Sequence, residues 1–126
     1  MKILLDTNVL LWFISDNAKL NRDYKKLLEN PENDVWVSIV SLWEITIKLN
    51  IGKLEIDENL ETFFKVVTQD YGFSILQITE NHLYQYLKLP LIHRDPFDRL
   101  IYSQAKAEKL TFLFTDEIFK QYNNIS

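Results

Sequence analysis

Seven consecutive residues, His93-Arg94-Asp95-Pro96-Phe97-Asp98-Arg99, hold two carboxylates, two guanidinium groups and an imidazole. Three more acids stand at places that invite the same attention. Asp6 ends the apolar run Ile3-Leu4-Leu5. Asp116 follows the run Thr111 to Phe114 by way of Thr115. Glu44 interrupts a stretch containing Val40, Leu42, Trp43, Ile45, Ile47 and Leu49. Carboxylates brought from distant segments to within a few ångströms repel one another and raise each other's pKa values. No folding need is served by that arrangement, but a divalent cation neutralises it. An oxygen-only donor set, in a chain with no cysteine and only two histidines, is what Mg²⁺ or Mn²⁺ uses. One or two such ions polarise a phosphodiester, generate hydroxide from bound water and stabilise the leaving oxygen. Metal-assisted phosphodiester hydrolysis is the chemistry these residues best support.

Each acid also has a plain structural reading. Asp6-Thr7-Asn8 can cap the helix that follows, since all three residue types are favoured caps. Asp116 can cap a last short helix. Ser41 and Glu44 form the S-x-x-E pattern of a capping box, and Lys48 stands four residues on, placed for a helical ion pair. Asp95 makes a good N-cap, Pro96 fits the first helical position, and Asp98 then lies in a first turn that favours negative charge. Glu44 is the acid least explained by capping. Its helix is apolar almost all round, so it is expected to be buried, and a buried carboxylate needs a partner or a metal.

The elements that must position these acids can be read from the alternation of short apolar runs with helical periodicity. Strands are expected at Ile3–Leu5, Val35–Val37, Phe73–Ile78 and Thr111–Phe114. Helices are expected over Val9–Ile14, Leu20–Glu29 (ended by Asn30-Pro31), a segment capped by Ser38 or Ser41 and running to about Asn50 with Gly52 just past its end, Asn59–Tyr71 (stopped by Gly72), a segment from Thr79 to before Pro90, and Pro96–Lys109. Strands alternating with helices imply βαβ units and an α/β fold, a mainly parallel sheet of about four or five strands. In such sheets the functional crevice lies beyond the carboxyl ends of the strands, which is where Asp6 and Asp116 fall.

Composition sets the outer bounds. A chain of 126 residues, 47% hydrophobic and 13% aromatic, is long enough for one domain with a real core, taken as residues 1–126. The apolar run after Met1-Lys2 is too short for a signal peptide or a membrane span, so a soluble cytoplasmic protein is expected. The net charge of −4 and pI near 5.1 argue mildly against a partner gripped by non-specific charge, such as bulk nucleic acid. Acids clustered around a metal would give the same negative count.

Four stretches, LLDTNVLLWFI, VSIVSLWEITIKLNIGKL, HRDPFDRLIYSQA and LFTDEIFKQY, resemble in order and spacing the signature blocks of PIN-domain proteins, most of all the VapC-like toxins of bacterial toxin–antitoxin pairs. The resemblance implies a three-layer α/β/α PIN-like fold and a Mg²⁺- or Mn²⁺-dependent endoribonuclease. It also implies a dimer held inactive by a cognate antitoxin protein. The family's acidic quartet falls on Asp6, Glu44, Asp98 and Asp116. Thr7 or Asn8 and Thr115 correspond to the polar positions beside the first and last acids, and Asp95 to a supporting one. The first block often reads D-T-H in this subgroup; here it has Asn8. Asp6, Asp98 and Asp116 are then expected to hold the principal ion, with Glu44 assisting or orienting the attacking water. Cleavage would leave 5′-phosphate and 3′-hydroxyl ends.

Arg94, Arg99 and Lys48 are candidates for holding the RNA backbone, because Arg presents a fork matched to phosphate. Each is set against a plain solvated ion pair, the reading favoured for Arg94. His93 is a candidate RNA contact or proton carrier, set against a loop histidine bonded to backbone. Trp12 and Phe13 are candidates for a dimer or antitoxin surface, set against plain core packing. A basic antitoxin segment would suit the acidic chain. Two rivals remain: a non-catalytic PIN-like module binding RNA or protein, and an aspartyl phosphatase. The second usually carries another Asp two positions after the first, where this chain has Asn8.

Overall fold

The computed structural model describes residues 1–124. Its central strand, β1 (Lys2–Leu5), runs parallel to β2 (Asp34–Ser38) on one side and to β4 (Thr111–Leu113) on the other, with Leu4 opposite Trp36 and Phe112. β3 (Ser74–Leu76) adds to the far edge of β2, giving the all-parallel order β3-β2-β1-β4. Ile3 and Leu5 enter one core with Val9, Leu10, Phe13, Val35, Val37 and Leu113. Leu4, pointing the other way, enters a second with Val40, Ile101 and Ala105. An unbroken apolar triplet is what a strand covered on both faces requires. The expected α/β sheet is therefore present, with four strands flanked by helices.

Parallel strands need crossovers, and helices supply them. These are α1 (Thr7–Ile14), α2 (Arg22–Glu29), α3 (Ile39–Asn50), α4 (Leu60–Lys65), α5 (Glu80–Lys88) and α6 (Pro96–Glu108). A π-helical turn, Val66–Asp70, prolongs α4, and a 3₁₀ helix, Glu117–Asn124, follows β4. No helix among the described residues is long and apolar enough to cross a membrane. The helix end past Asn50 is closed by Gly52 in the left-handed region at φ 73°. Gly52 N–H donates to Leu49 O and Lys53 N–H to Lys48 O, the paired bonds of a Schellman cap.

Several local expectations shift. α1 starts at Thr7, not Val9, because Asp6 is its cap. The third strand is three residues, Ser74–Leu76, shorter than the expected Phe73–Ile78. α3 is capped by Ser38, whose hydroxyl accepts from Val40 N–H. Ser41 lies inside the helix, so the S-x-x-E capping box does not form there. Phe13 is buried in the core and Trp12, partly covered, packs against the same core, so core packing holds fully for Phe13 and in part for Trp12. Trp43 is 57% exposed, so α3 is buried on most of its circumference but not all.

Candidate active site

In the order β3-β2-β1-β4 the chain reverses direction across the sheet between β1 and β4, and a crevice opens beyond the carboxyl ends of strands at such a switch point. Asp6 stands there, immediately after β1. Its Oδ1 accepts from Val9 N–H at 2.7 Å, capping α1. Its Oδ2 accepts from Thr115 N–H at 2.9 Å, joining the end of β1 to the end of β4. Cap and cleft readings therefore describe the same side chain. A cleft of about 120 Å³ is lined by Asp6, Thr7, Asn8, Glu44, Lys48, Asp95, Asp98, Thr115 and Asp116. Four segments far apart in sequence thus contribute acids to one hollow.

Glu44 reaches the cleft from α3 and is buried, with both oxygens partnered. Thr7 Oγ1 donates to Oε1 at 2.6 Å and Lys48 Nζ donates to Oε2 at 2.8 Å. Thr7 Oγ1 also lies 3.0 Å from Ser41 Oγ. A threonine has one hydroxyl proton, and with that proton on Glu44 the second bond is donated by Ser41. The Ser41/Glu44 spacing serves this buried network instead of a cap. On the other wall, Asp95 Oδ1 accepts from the amides of Phe97 and Asp98, starting α6 and setting Asp98 in its first turn. Asn8 Nδ2 donates to Thr115 Oγ1 at 3.4 Å. Asp116 Oδ1 accepts from Ile118 N–H, beginning the 3₁₀ helix.

Crowding shows in the electrostatics. Burial pushes the Asp6 carboxyl up to about 6, against the bonds from Val9 and Thr115 that favour its charged form, and Glu44 pushes the same way as burial. Asp98 is also raised to about 6, first by burial and then by Asp95; His93 opposes the rise, and Glu44 and Asp6 add to it. Lys48 is raised by its bond to Glu44, with Asp95 and Asp98 contributing. Acids held so uneasily, with oxygen donors facing one hollow, fit a hard divalent cation.

The basic candidates part ways. Lys48 lines the cleft, and Arg94 is exposed. Arg99 departs from the expected phosphate-gripping role: it is 4% exposed, and its guanidinium donates to the carbonyls of Leu89, Pro90 and His93 and to Tyr122 Oη. Its Cζ also sits 4.8 Å from the centre of the Tyr86 ring. α6 turns this side chain away from the cleft and into the protein, where it ties down the loop before the helix. His93 is the opposite surprise, because its imidazole lies against the acids. Nε2 is 2.9 Å from Asp98 Oδ2 and 3.5 Å from Asp116 Oδ2. With those two acids it offers atoms all within 4.8 Å of one another. The other histidine, His82, is buried elsewhere, between Thr79, Gln104 and Glu108. Ser41, read from sequence as a cap, instead joins the buried Thr7–Glu44 network, and nothing local hinted at Tyr122.

Residues 3–125 match the model of the PIN domain family. No curated protein sequence matches the chain at a significant level. Among solved structures, the fold is similar to a chain in the crystal structure of VapBC2 from Rickettsia felis bound to a DNA fragment from their promoter. That match has 21% identity and a TM-score of 0.71, and covers 98% of this chain and 95% of the other. FitAcB from Neisseria gonorrhoeae is similar at 22% identity and a TM-score of 0.64, over 96% and 93% of the two chains. A toxin–antitoxin complex from Klebsiella pneumoniae follows at 20% and 0.58, over 90% and 86%. With its acids at the switch point of a parallel sheet and the family model spanning nearly its whole length, the chain belongs to the PIN-domain family.

Proposed function

We propose that residues 1–126 form a single-domain Mg²⁺- or Mn²⁺-dependent endoribonuclease, the toxin of a VapC-like toxin–antitoxin pair. The observation that carries this reading is the convergence of Asp6, Glu44, Asp98 and Asp116 with Lys48 in one cleft. Asp6, Asp98 and Asp116 would hold the principal ion, and Glu44 would assist it or a second one. Such an ion, when bound, polarises the phosphate and makes bound water a nucleophile near neutral pH.

The chain's own residues do the positioning. Two backbone amides fix Asp6 in one orientation. Thr7 and Lys48 fix Glu44, leaving carboxylate lone pairs to orient an attacking water. Lys48 keeps two N–H donors for phosphate oxygens after bonding Glu44. The N-terminus of α6 favours the negative phosphate beside it, and exposed Arg94 extends the grip along the RNA backbone. Water attacks phosphorus as the bond to the 3′-oxygen breaks, leaving 5′-phosphate and 3′-hydroxyl ends.

The toxin role draws support from the likeness to VapBC2, FitAcB and the Klebsiella complex, and from a net charge of −4 suited to a basic antitoxin segment. A second copy would cover the apolar hollow of about 270 Å³ edged by Trp43, Leu83, Tyr86 and Phe97, of which Trp43 is 57% and Leu83 52% exposed. On this reading the protein works in the cytoplasm.

The test is to incubate antitoxin-free protein with total RNA and Mg²⁺ and map the new 5′ ends. Discrete cuts carrying 5′-phosphate are expected, abolished by EDTA and lowered at least ~100-fold by Glu44→Gln or Asp98→Asn. Intact RNA, or cutting indifferent to Glu44→Gln, would favour a non-catalytic binding module. Phosphate released from small esters beside intact RNA would favour a phosphatase.

A further inference from the structure

His93 belongs to no helix or strand, yet it is held from three sides. Its N–H donates to Tyr122 Oη at 2.9 Å, its carbonyl accepts from Arg99 Nη1 at 3.1 Å, and its ring lies 5.1 Å from that of Phe119. Nδ1 accepts from Asp95 N–H at 3.3 Å, so the neutral ring carries its proton on Nε2. That nitrogen is sealed from solvent and no acceptor lies along its N–H bond. The two carboxylate oxygens that flank it belong to Asp98 and Asp116. Both acids line the cleft and His93 does not, so the imidazole stands behind them. Among the described residues, no other hydrogen bond or ion pair bridges the two acids.

Resting on the metal-dependent reading above, we infer that His93 is a positioning residue: a buried N–H donor that clamps Asp98 and Asp116 from behind so that both offer an oxygen to one cation. Asp116 leaves the end of β4 with a side chain 53% exposed, whereas Asp98 is fixed to α6. Two like charges from separate elements drift apart unless something offsets their repulsion, and a shared N–H does so. A small tilt of either carboxylate completes the bond that Nε2 lacks. Direct ligation by Nε2 would move the proton to Nδ1 and set two N–H groups face to face with Asp95. A metal-bound histidine instead gives its second N–H to an acceptor.

The experiment is Mn²⁺ titration of the full chain by calorimetry, with pulsed EPR for nitrogen bound to the ion. His93→Met and His93→Gln both keep the backbone bonds to Tyr122 and Arg99, but only Gln restores an N–H at similar depth. Met is expected to weaken Mn²⁺ binding about 10–100-fold, Gln to stay near wild type, and bound Mn²⁺ to show no directly attached nitrogen. Equal affinity of Met and wild type overturns the clamp, as does strong direct nitrogen coupling in wild type. Asp98→Asn separates the two readings. If wild type binds Mn²⁺ and Asp98→Asn does not, while His93→Met binds like wild type, only the clamp fails. If wild type binds no Mn²⁺, the metal-dependent reading fails and the clamp with it.

Discussion

Thr7 gives its hydroxyl proton to Oε1 of Glu44 at 2.6 Å, across 37 residues of sequence. The residue beside one acid thus aims another. Thr7→Val keeps the shape and removes the donor. We expect a loss of about 1.5–3 kcal/mol in urea unfolding, the range for a bond to a charged group, and cleavage about 10–100-fold slower. Thr7→Ser should recover most of both. A valine variant as stable and as fast as wild type would mean that Glu44 needs no such support.

The acid cluster should cost stability when no cation is present. Asp6 and Asp98 have their folded pKa values raised from 3.8 to about 6, so between those values the folded state binds more protons than the unfolded one. Their contribution is fully present below pH ~4 and is lost as pH rises through ~6. In EDTA, Asp98→Asn should therefore melt higher than wild type at pH 7.5, by ~3–5 °C for an effect on the order of 1 kcal/mol after solvent screening. The gap should close toward pH 4. Mn²⁺ should raise the wild-type melting temperature and leave the variant nearly unmoved. A lower melting temperature for the variant in EDTA at pH 7.5 would contradict this account.

Arg99 should report on folding, not on RNA. Lysine at this position keeps the charge but cannot span the carbonyls of Leu89, Pro90 and His93 as the guanidinium does. Arg99→Lys should destabilise the protein by about 2–4 kcal/mol, as expected for a buried charge stripped of partners. An unchanged melting temperature with a raised KM would instead return Arg99 to the substrate.

Lys109 ends α6 in the left-handed region at φ 56°, a conformation disfavoured for residues with a Cβ. Lys109→Gly should raise stability by about 0.5–1 kcal/mol, seen as ~2–4 °C in a thermal melt. The position is remote from the cleft, so cleavage should not change.

The parts of this molecule legible in sequence are those governed by neighbours along the chain. Asp6 and Asp116 could be placed because apolar runs announce strands and strands end where polarity resumes. Asp98 could be placed because Asp95-Pro96 announces a helix start. Gly52 marked its helix end for an equally local reason. Contacts between distant segments were hidden. Ser41 and Glu44 match a local cap by spacing, yet their partner is Thr7. Arg99 and Lys48 look alike as cations, and only the turn of each helix decides which one meets the cleft. His93 was unreadable because loop direction here is set by Tyr122 and Arg99.

Asp6 bonds one oxygen to α1 and the other to the Thr115 amide, two residues past β4, so the cleft has a birth order. A growing chain releases Asp6, then Glu44, then Asp98, and only last the strand that brings Thr115 and Asp116. Until β4 docks beside β1, Asp6 lacks its second anchor and one wall of the hollow is missing. Clipping the chain before Leu113 would remove both the second anchor of Asp6 and that wall of the hollow without touching Asp6, Glu44 or Asp98.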